Sequence, residues 1–435
     1  MFLLLPNTLF DTKYLKKDFT YVLYEHPLFF SSKSRVDTFH IQKLVFHRAS
    51  MMLYHEMLLS KNFKVKYVEY GVHELNITHM FRPCDKLLEN EFKHVEFVDS
   101  PMWLHTEDDL KDYKGGLRHH SFKLWSGRKL ELDEALLKSQ DTENRKKLPV
   151  DLKVPEMKLY KNRQIISESI KYITNLGIKT YGEIFETKFM FPLTHAQALK
   201  LLKDFFENRL IHFGDYQDSI TSSISNPVLY HSCISSSMNS GLLTPSQVLS
   251  FAKKYRNKVS FNQYEGFVRQ IFGWREYMRY CYLYHYNDII KSNHFNNKEK
   301  LPLSWYSKDA NTGIQPIDDC IKKAYTNCYL HHIERLMIIL NYMTLCEIQP
   351  SDIYKWFMTC VSIDAYDWVM VSNIYIFGYI FNKASRKPYI SSSAYILRMS
   401  DYKKSEWCDK WDNLYRAFVK KKKDKLRGTV YVMNT

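Results

Sequence analysis

The sequence contains few of the residues that interrupt or loosen a folded chain. Its 435 residues include only 13 Gly and 13 Pro, which argues against low-complexity or disordered segments. None of the 8 Cys residues stands in a CxxC pair, so their spacing carries no zinc or redox signature. The start, MFLLLPNTLF, is too short and too broken by proline for a signal peptide. No uncharged apolar run is long enough to span a bilayer, and we therefore expect a soluble, intracellular protein without a membrane segment.

Positive charge, by contrast, is abundant. The chain has 62 Lys and Arg against 47 Asp and Glu, which gives a net charge of +15. A basic surface attracts polyanions, and nucleic acid is the commonest of them. The alternative explanation is a lysine-rich proteome, because Lys and the 32 Tyr both increase in an AT-rich genome.

The patterning divides the chain into three parts. Residues 1–130 alternate strand and helix signals, as in FTYVLYEHPLFF and FKVKYVEY, and predict a βαβ unit with a parallel sheet. Residues 131–190 are charged, interrupted by proline and weakly periodic, which indicates an interdomain connector. Residues 191–435 are almost wholly helical.

Helix starts in this last part are marked by capping residues. Thr194 and Thr244 precede periodic apolar faces, and Pro245 follows at a first helical position. Further helical patterns run through 263–284, 317–346 and 350–361.

Two stretches carry groups that suit a phosphate or a polar ligand. LYHSCISSSMNSGLLTP places Ser232, Ser235 and Asn239 before a helix start, where hydroxyls and free N–H groups favour phosphate. A solvated serine-rich loop is the alternative. NQYEGFVRQIFGWREYMRY repeats acidic, basic and aromatic residues at helical spacing, and an exposed face with weak ion pairs is the alternative there.

Two other stretches place polar groups in apolar surroundings. YLHHIERLMII contains His331, His332 and Arg335 within an apolar helical pattern, and burying such groups costs free energy unless partners exist. IDAYDWVMVSN interleaves Asp364 and Asn373 with large rings, which suits a heterocyclic ligand that forms hydrogen bonds. A loop with local side-chain caps is the alternative reading of the second stretch.

These segments, in this order, resemble the photolyase/cryptochrome flavoproteins. GWREY (273–277), TGIQPIDDCI (312–321), HHIER (331–335) and DAYDW (364–368) look like that family's signature segments. The resemblance is closer to the prokaryotic (6-4) photolyase branch, the iron–sulfur bacterial cryptochromes and photolyases. It includes FHIQKLVFHRASM near the N-terminus, FGDYQD and KPYISSSAYILRMSDY, and runs essentially end to end.

The resemblance implies a photolyase fold: an α/β N-terminal Rossmann-like antenna domain plus a large all-α C-terminal FAD-binding domain. It also implies that reduced FAD donates an electron, in light, to a pyrimidine dimer flipped out of UV-damaged DNA. His332 would then be the residue that supplies a proton to a (6-4) lesion, with His331 beside it. Leu336 and Tyr389 would belong to the same lesion pocket.

The resemblance assigns further residues by position. Trp356 would relay electrons, with Trp305 or Tyr306 as its outer partner. We expect DNA contacts from basic residues near the lesion and in the C-terminal basic run: Lys387, Arg398, Lys420 and Lys421. The residues expected to bind FAD are Ser232, Ser235, Asn239, Glu265, Arg269, Trp274, Arg335, Asp364 and Asn373.

Several departures from the family pattern change these expectations. Three of the four cluster cysteines of this branch fall at Pro316, Lys403 and Glu406, and Cys408 is the one thiol left nearby. One thiolate cannot hold a four-iron cluster, so we predict no iron–sulfur cluster and no metal. Met370 stands where this branch has a glutamate near the flavin, and Phe357 replaces a tyrosine.

The sequence therefore predicts a monomeric FAD-dependent DNA photolyase, most closely a (6-4) photolyase, with a ribityl-lumazine antenna as a further expectation. A cryptochrome-type photoreceptor without repair is the first alternative, because Met370 and the missing cysteines alter the flavin surroundings. A cyclobutane pyrimidine dimer photolyase and a degenerate flavin-binding scaffold are the others.

Overall fold

The N-terminal part of the chain builds a parallel sheet. The computed structural model describes residues 1–149, 151–160 and 162–429. The strands are β1 (Phe2–Leu4), β2 (Thr20–Tyr24), β3 (Phe39–His40), β4 (Lys64–Val68), β5 (His79–Phe81), β6 (Glu96–Val98) and β7 (Thr180–Tyr181). Five of them pair in the order β4-β2-β1-β5-β6, and each pair is parallel. Strand β1 is buried throughout, as expected for the centre of a sheet covered on both faces.

Helices cover this sheet and also occupy the segment interpreted as a connector. They are α1 (Pro27–Phe30), α2 (Ile41–Ser60), α3 (Lys86–Glu91), α4 (Glu107–Lys111), α5 (His119–Lys129) and α6 (Arg163–Asn175). The expected β-rich run at 19–30 is therefore only half strand, because it ends at Tyr24 and Pro27 opens α1.

Segment 131–190 is more ordered than its weak periodicity indicated. Helix α6 buries Ile166, Ser169 and Ile173, and it packs against α2. Strand β7 pairs in parallel with β3, next to the start of α2. The helix is polar apart from this face, and the charged, proline-containing residues before it hid its periodicity.

The rest of the described chain is helical. Its helices are α7 (His195–Asn208), α8 (Leu210–Tyr216), α9 (Ser235–Ser240), α10 (Pro245–Lys253), α11 (Phe261–Arg269), α12 (Glu276–Ile290), α13 (Gln315–Asn327), α14 (Asn341–Leu345), α15 (Pro350–Trp356), α16 (Asp367–Phe377), α17 (Ser393–Met399) and α18 (Glu406–Lys421). Within the described ranges, no helix combines the length and the apolar content that crossing a membrane requires.

The capping predictions are confirmed, but one long helical pattern is interrupted. Thr194 accepts from the Gln197 N–H, and Thr244 forms a capping box with Gln247. The pattern expected over 317–346 breaks after Asn327, because Cys328 adopts a left-handed conformation with φ of 48°. The helical run resumes only at His332.

Three stretches of helix are wound as π-helix. Gln270–Arg275 joins α11 to α12, Glu334–Leu340 leads into α14, and Phe357–Val361 extends α15. Such segments are rare and recur at functional sites, since the wider turn redirects side chains.

The sheet and the helical part meet at the carboxyl end of β1. The Leu9 N–H donates to the carbonyl of Ser240 at 2.9 Å, at the end of α9. Gly241 follows with φ of 89°, and a Cβ there would lie 2.9 Å from the Leu9 nitrogen. This close approach requires glycine and fixes α9 against the sheet.

Tryptophans pack the region to which the resemblance assigns the cluster cysteines of the (6-4) branch. Trp411 on α18 is fully buried, its ring lies 5.7 Å from that of Tyr342, and its indole N–H donates to the Ser391 carbonyl at 2.9 Å. Trp407 is also buried, one turn earlier on the same helix. Aromatic packing thus attaches α18 to α14 without a metal ligand.

Replacing Trp411 by Ala should lower the free energy of unfolding by about 3–5 kcal/mol, because it leaves a cavity and removes the indole hydrogen bond to the Ser391 carbonyl. Denaturant unfolding measures the change. Leu303→Ala is the control, since that side chain is 86% exposed and its loss should change little. An effect of Trp411→Ala no larger than the control would show that α18 is not held by this packing.

Candidate functional site

A cavity of about 800 Å³ lies in the helical part of the structure. This volume is in the upper part of the range for small-molecule and cofactor sites. Its wall is built by α9, by α16 and by residues 387–398. All three π-helical segments also contribute to it, which explains the convergence of so many polar side chains on one space.

A buried ion pair stands in the cavity wall. The guanidinium of Arg335 contacts both carboxylate oxygens of Asp364, with N–O distances of 2.9 and 3.2 Å. Its Nε donates to the Leu330 carbonyl at 2.7 Å. Burial alone would raise the pKa of Asp364, but the charge of Arg335 and hydrogen bonds from Arg335, Ser362 and Ser235 outweigh it and lower the pKa.

Asn239 and Arg275 extend this network. The Asn239 amide donates to the Asp364 carbonyl at 3.2 Å and accepts from Arg275 at 3.2 Å. Arg275 also donates to the Met102 carbonyl at 2.7 Å. Its guanidinium lies over Trp103, 4.4 Å from the ring centre. A loop from the N-terminal part of the chain thus supports the cavity wall.

His331 stands just before the resumed helix, and Glu334 completes a cap there. The His331 carbonyl accepts the Arg335 N–H at 3.1 Å, and the Glu334 carboxylate accepts the His331 N–H at 3.3 Å. The other Glu334 oxygen pairs with Lys323 at 2.6 Å, both groups being fully buried. Glu334 therefore starts the helix that carries His332, which is a structural reason for an acidic residue in this apolar segment.

The ring of His331 is buried in the wall and lacks hydrogen-bond partners. It is 3% exposed and stacks on His231, with ring centres 4.3 Å apart. Neither ring nitrogen forms a hydrogen bond to a described residue, although Nε2 lies 3.5 Å from a carboxylate oxygen of Glu334. Burial, followed by the neighbouring positive groups, keeps the pKa of His331 well below its usual range. The ring is therefore neutral, and its Nδ1 is available to a ligand.

His332 is exposed where it borders the cavity. Because this cavity lies deep within the protein, desolvation is the largest influence on the ring, followed by the charge of Arg335. Together they lower the pKa of His332 to about 4, while Asp364 acts in the opposite direction. The ring contacts Phe377 edge to face at 5.2 Å, and Phe377 contacts Tyr389 in the same way at 5.2 Å.

The opposite wall combines an aromatic ring with an arginine. Trp274 stacks on His119, with ring centres 3.5 Å apart. Arg269 pairs with Asp141 at 2.7 Å and with Glu265 at 2.9 Å. Glu265 is fully buried, and desolvation raises its pKa despite Arg269. Glu265 does not border the cavity itself, and it can affect the site only through its ion pair with Arg269.

The two tryptophans expected in electron transfer contact each other behind the wall. The Trp356 indole N–H donates to the Trp305 carbonyl at 3.1 Å, and the ring centres are 5.8 Å apart. Phe357, next to Trp356, borders the cavity instead. Trp305 is only 4% exposed, and its ring stacks on that of half-buried Tyr342 at 5.8 Å. Trp305 is therefore not itself a surface residue.

Most of the expected site residues border this cavity. Of the others, Lys421 pairs with Glu347 at 2.5 Å, Lys420 is exposed on the same helix, and Glu265, Trp356 and Trp305 lie behind the wall. The expected residues that border the cavity are Ser232, Ser235, Asn239, Arg269, Trp274, His331, His332, Arg335, Leu336, Asp364, Asn373, Lys387, Tyr389 and Arg398.

Several residues of the wall were not named as candidates from the sequence, among them Arg145 and His231. Arg145 comes from segment 131–190 and pairs with Asp218 at 3.3 Å and with Asp141 at 3.2 Å. His231 stacks on His331, and its two ring nitrogens face the carbonyls of Val228 and Gln217. The cluster of charges in DTENRKK could have indicated Arg145, whereas His231 stands in a loop without a periodic signal.

The positions that depart from the family pattern are also placed. Met370 and Phe357 border the cavity. Lys403 and Glu406 are exposed, whereas Cys408 is buried. Among the residues that the structure describes, no group of three His, Cys, Asp or Glu side chains is arranged to hold a metal ion.

Comparisons with known proteins agree with this fold. The family model described as deoxyribodipyrimidine photo-lyase-related protein matches residues 2–189. A (6-4) photolyase of Agrobacterium fabrum is 34% identical over 266 residues, which are 60% of this chain and 51% of that relative. The chain thus matches about half the length of that curated relative.

Two solved structures share the fold at 14% identity each. A bacterial class III photolyase from Agrobacterium tumefaciens has a TM-score of 0.56 over 92% of each chain. A Synechocystis sp. PCC6803 cryptochrome has a TM-score of 0.57 over 93% of this chain and 83% of its own. Together these matches support the photolyase/cryptochrome superfamily, and 60% of the chain aligns with a (6-4) photolyase.

The low pKa of His332 predicts a pH dependence of stability. The unfolded chain takes up this proton near pH 6.5 and the folded chain only near pH 4. Between these values the unfolded state binds more protons, so the free energy of unfolding should fall as the pH falls. His332→Gln should flatten this slope in denaturant titrations, and exposed His120→Gln should not. Equal slopes in all three proteins would contradict the lowered pKa of His332.

Proposed function

We propose that the cavity binds FAD and that the protein is a light-driven DNA photolyase for (6-4) photoproducts. The observation that carries the proposal is one cavity of about 800 Å³ whose wall joins the Arg335–Asp364 pair to the open side chain of His332. A flavin needs hydrogen-bonding groups in apolar surroundings, and a lesion needs a proton donor beside it.

The residues in the wall fit such a cofactor. Arg335 and Asp364 form the polar edge that would bind its ring and ribityl portion, and Ser232, Ser235 and Asn239 stand where its phosphates would meet a helix start. The Nδ1 of His331, which forms no hydrogen bond to a described residue, is a buried polar atom that a ligand would satisfy. Bound FAD would supply the absorption of light and the electron.

His332 would supply the proton. At neutral pH its ring is neutral in the protein without DNA, because burial and Arg335 disfavour the charged form. A phosphodiester placed beside the ring would favour the protonated form, since an opposite charge raises the pKa of histidine. Binding of damaged DNA would thus protonate His332 and so provide the acid that repair of a (6-4) lesion requires.

Lys387 and Arg398 border the same cavity, and their positive charges would attract the phosphates of DNA to it. The net charge of +15 agrees with a polyanionic partner. The C-terminal Lys420 and Lys421 lie elsewhere, at the end of α18, and Lys421 already pairs with Glu347. Their contribution to binding is therefore expected to be smaller.

One specific observation favours another function. Met370 borders the cavity, where a thioether cannot exchange a proton with a flavin, and this favours a cryptochrome-type photoreceptor without repair. A cyclobutane pyrimidine dimer photolyase would use the same cavity without needing the His332 proton.

We further infer that the protein lacks an iron–sulfur cluster, supported by the exposure of Lys403 and Glu406. A lumazine antenna stays a proposal from the resemblance.

Replacing His332 by Ala distinguishes these functions. Repair of a (6-4) oligonucleotide under blue light should fall by about 10²-fold or more, because a general acid contributes that much. Light-driven flavin reduction and any repair of cyclobutane dimers should persist. His120→Ala is the matched control, since that histidine is exposed and outside the cavity wall. Unchanged (6-4) repair in His332→Ala would remove its role as proton donor.

Binding to damaged DNA should weaken steeply with salt. Lys387→Ala and Arg398→Ala should each reduce the slope of log affinity against log salt by about one, if each neutralises one phosphate. Lys200→Ala, on the exposed side of α7, should leave the slope unchanged. A salt-independent affinity of the wild type would contradict binding through phosphates.

A further inference from the structure

The loop that carries Asp364 is held from behind by the N-terminal part of the chain. Asp364 and Trp368 border the cavity, whereas the three residues between them contact other elements. The Lys43 ammonium donates to the Ala365 carbonyl, and a ring nitrogen of His47 lies 3.1 Å from the Tyr366 hydroxyl. Both Lys43 and His47 belong to α2, which packs beside the sheet.

A third contact holds the last residue of the loop. The Arg35 guanidinium lies 3.9 Å from the Asp367 carboxylate and 2.6 Å from Asp85. Asp367 also accepts from the hydroxyls of Tyr282 and Tyr354. Three consecutive residues, 365 to 367, are thus each fixed by a side chain from the first 50 residues of the sequence.

Lys43 is the most unusual of these groups. Its side chain is 2% exposed and lies between the rings of Phe39 and Tyr366, about 5.0 and 4.9 Å from their centres. Burying an amine costs free energy that an apolar residue of similar size would not. The hydrogen bond to the Ala365 carbonyl and the cation–π contacts with the two rings offset part of this cost.

The backbone beside Asp364 is therefore held on two sides. Asn239 donates to the Asp364 carbonyl at 3.2 Å, and Lys43 donates to the next carbonyl along the chain. The Asp364 side chain pairs separately with Arg335. The direction of this carboxylate in the cavity thus depends on both peptide groups being fixed.

We propose that Lys43 is a positioning residue for the cavity, holding the Ala365 carbonyl so that Asp364 keeps its place in the wall. The segment FHIQKLVFHRASM supplies this function because Lys43 and His47 are one helical turn apart and reach neighbouring residues of the loop. The part of the proposal that concerns ligand affinity rests on FAD being the ligand, whereas the part that concerns the loop does not.

Lys43→Met tests the proposal, because methionine preserves length but cannot donate. In the protein freed of flavin, amide hydrogen exchange at residues 363–367 should accelerate by about tenfold, the value expected when a hydrogen bond from a charged group is lost. The dissociation constant of FAD should rise by a similar factor. Lys200→Met, exposed on α7, is the control and should change neither quantity. Folded Lys43→Met with wild-type exchange at 363–367 would overturn the proposal.

A pH titration of the wild type gives an independent test that needs no variant to fold. Burial lowers the pKa of Lys43 to about 7, with Cys328 and Asp364 acting against it and Arg35 acting with it. His47, the other titratable group packed against Lys43, is kept neutral by burial. After correction for intrinsic exchange, protection at 363–367 should decrease as the pH rises through about 7, while α7 should show no such step.

The outcomes separate the two proposals. Faster exchange in Lys43→Met together with no FAD binding by any protein would refute the cofactor and support the positioning role. FAD binding that is equally tight in wild type and Lys43→Met, with no pH step in protection, would refute the positioning role and leave the cofactor in place. His47→Phe, which removes the contacts to the Tyr366 hydroxyl and the Phe29 carbonyl but leaves Lys43 on the Ala365 carbonyl, should accelerate exchange at 365–367 less than Lys43→Met does.

Discussion

The Arg335–Asp364 ion pair is the constraint on which the cavity depends. It joins the helix that follows the two histidines to the loop that precedes α16, and it is almost completely removed from solvent. A buried pair of this kind stabilises little by itself, but the loss of one partner leaves a buried charge that costs about 3–5 kcal/mol. The main effect of this ion pair is therefore to fix two parts of the cavity wall relative to each other.

Much of the rest of the structure serves to hold the two ends of this pair. Glu334, paired with buried Lys323, caps the helix that carries Arg335. Asn239 and the side chains of α2 hold the loop that carries Asp364. The sheet is thus more than a separate layer beside the helices, since side chains of α2, which packs beside the sheet, hold part of the cavity wall in place. Mutations in the N-terminal part should affect the cavity for this reason.

The sequence was informative where local rules decide the structure. The parallel sheet followed from alternating strand and helix signals, and the caps at Thr194 and Thr244 followed from side-chain chemistry. The break at Cys328 could not be anticipated, because a left-handed non-glycine residue is imposed by tertiary packing. Helix α6 was hidden by its polar composition, and it packs through a narrow face.

The same distinction applies to the cavity. Residues that border the cavity could be predicted from the sequence where they match a family segment, as do His332, Arg335 and Asp364. Arg145 and His231 come from a segment and a loop without periodicity, and only the folded chain brings them to the wall. Trp305, which the resemblance makes an outer partner of Trp356, is buried, and its ring stacks on that of half-buried Tyr342.

The most direct test of the account is the flavin content of the purified protein. We predict a yellow protein whose absorption shows one FAD per chain, or an apoprotein that takes up one equivalent when FAD is added. Asp364→Asn, which leaves Arg335 unpaired, should lose this binding while exposed Asp108→Asn keeps it. A folded wild-type protein that is colourless and does not bind added FAD would contradict the central claim.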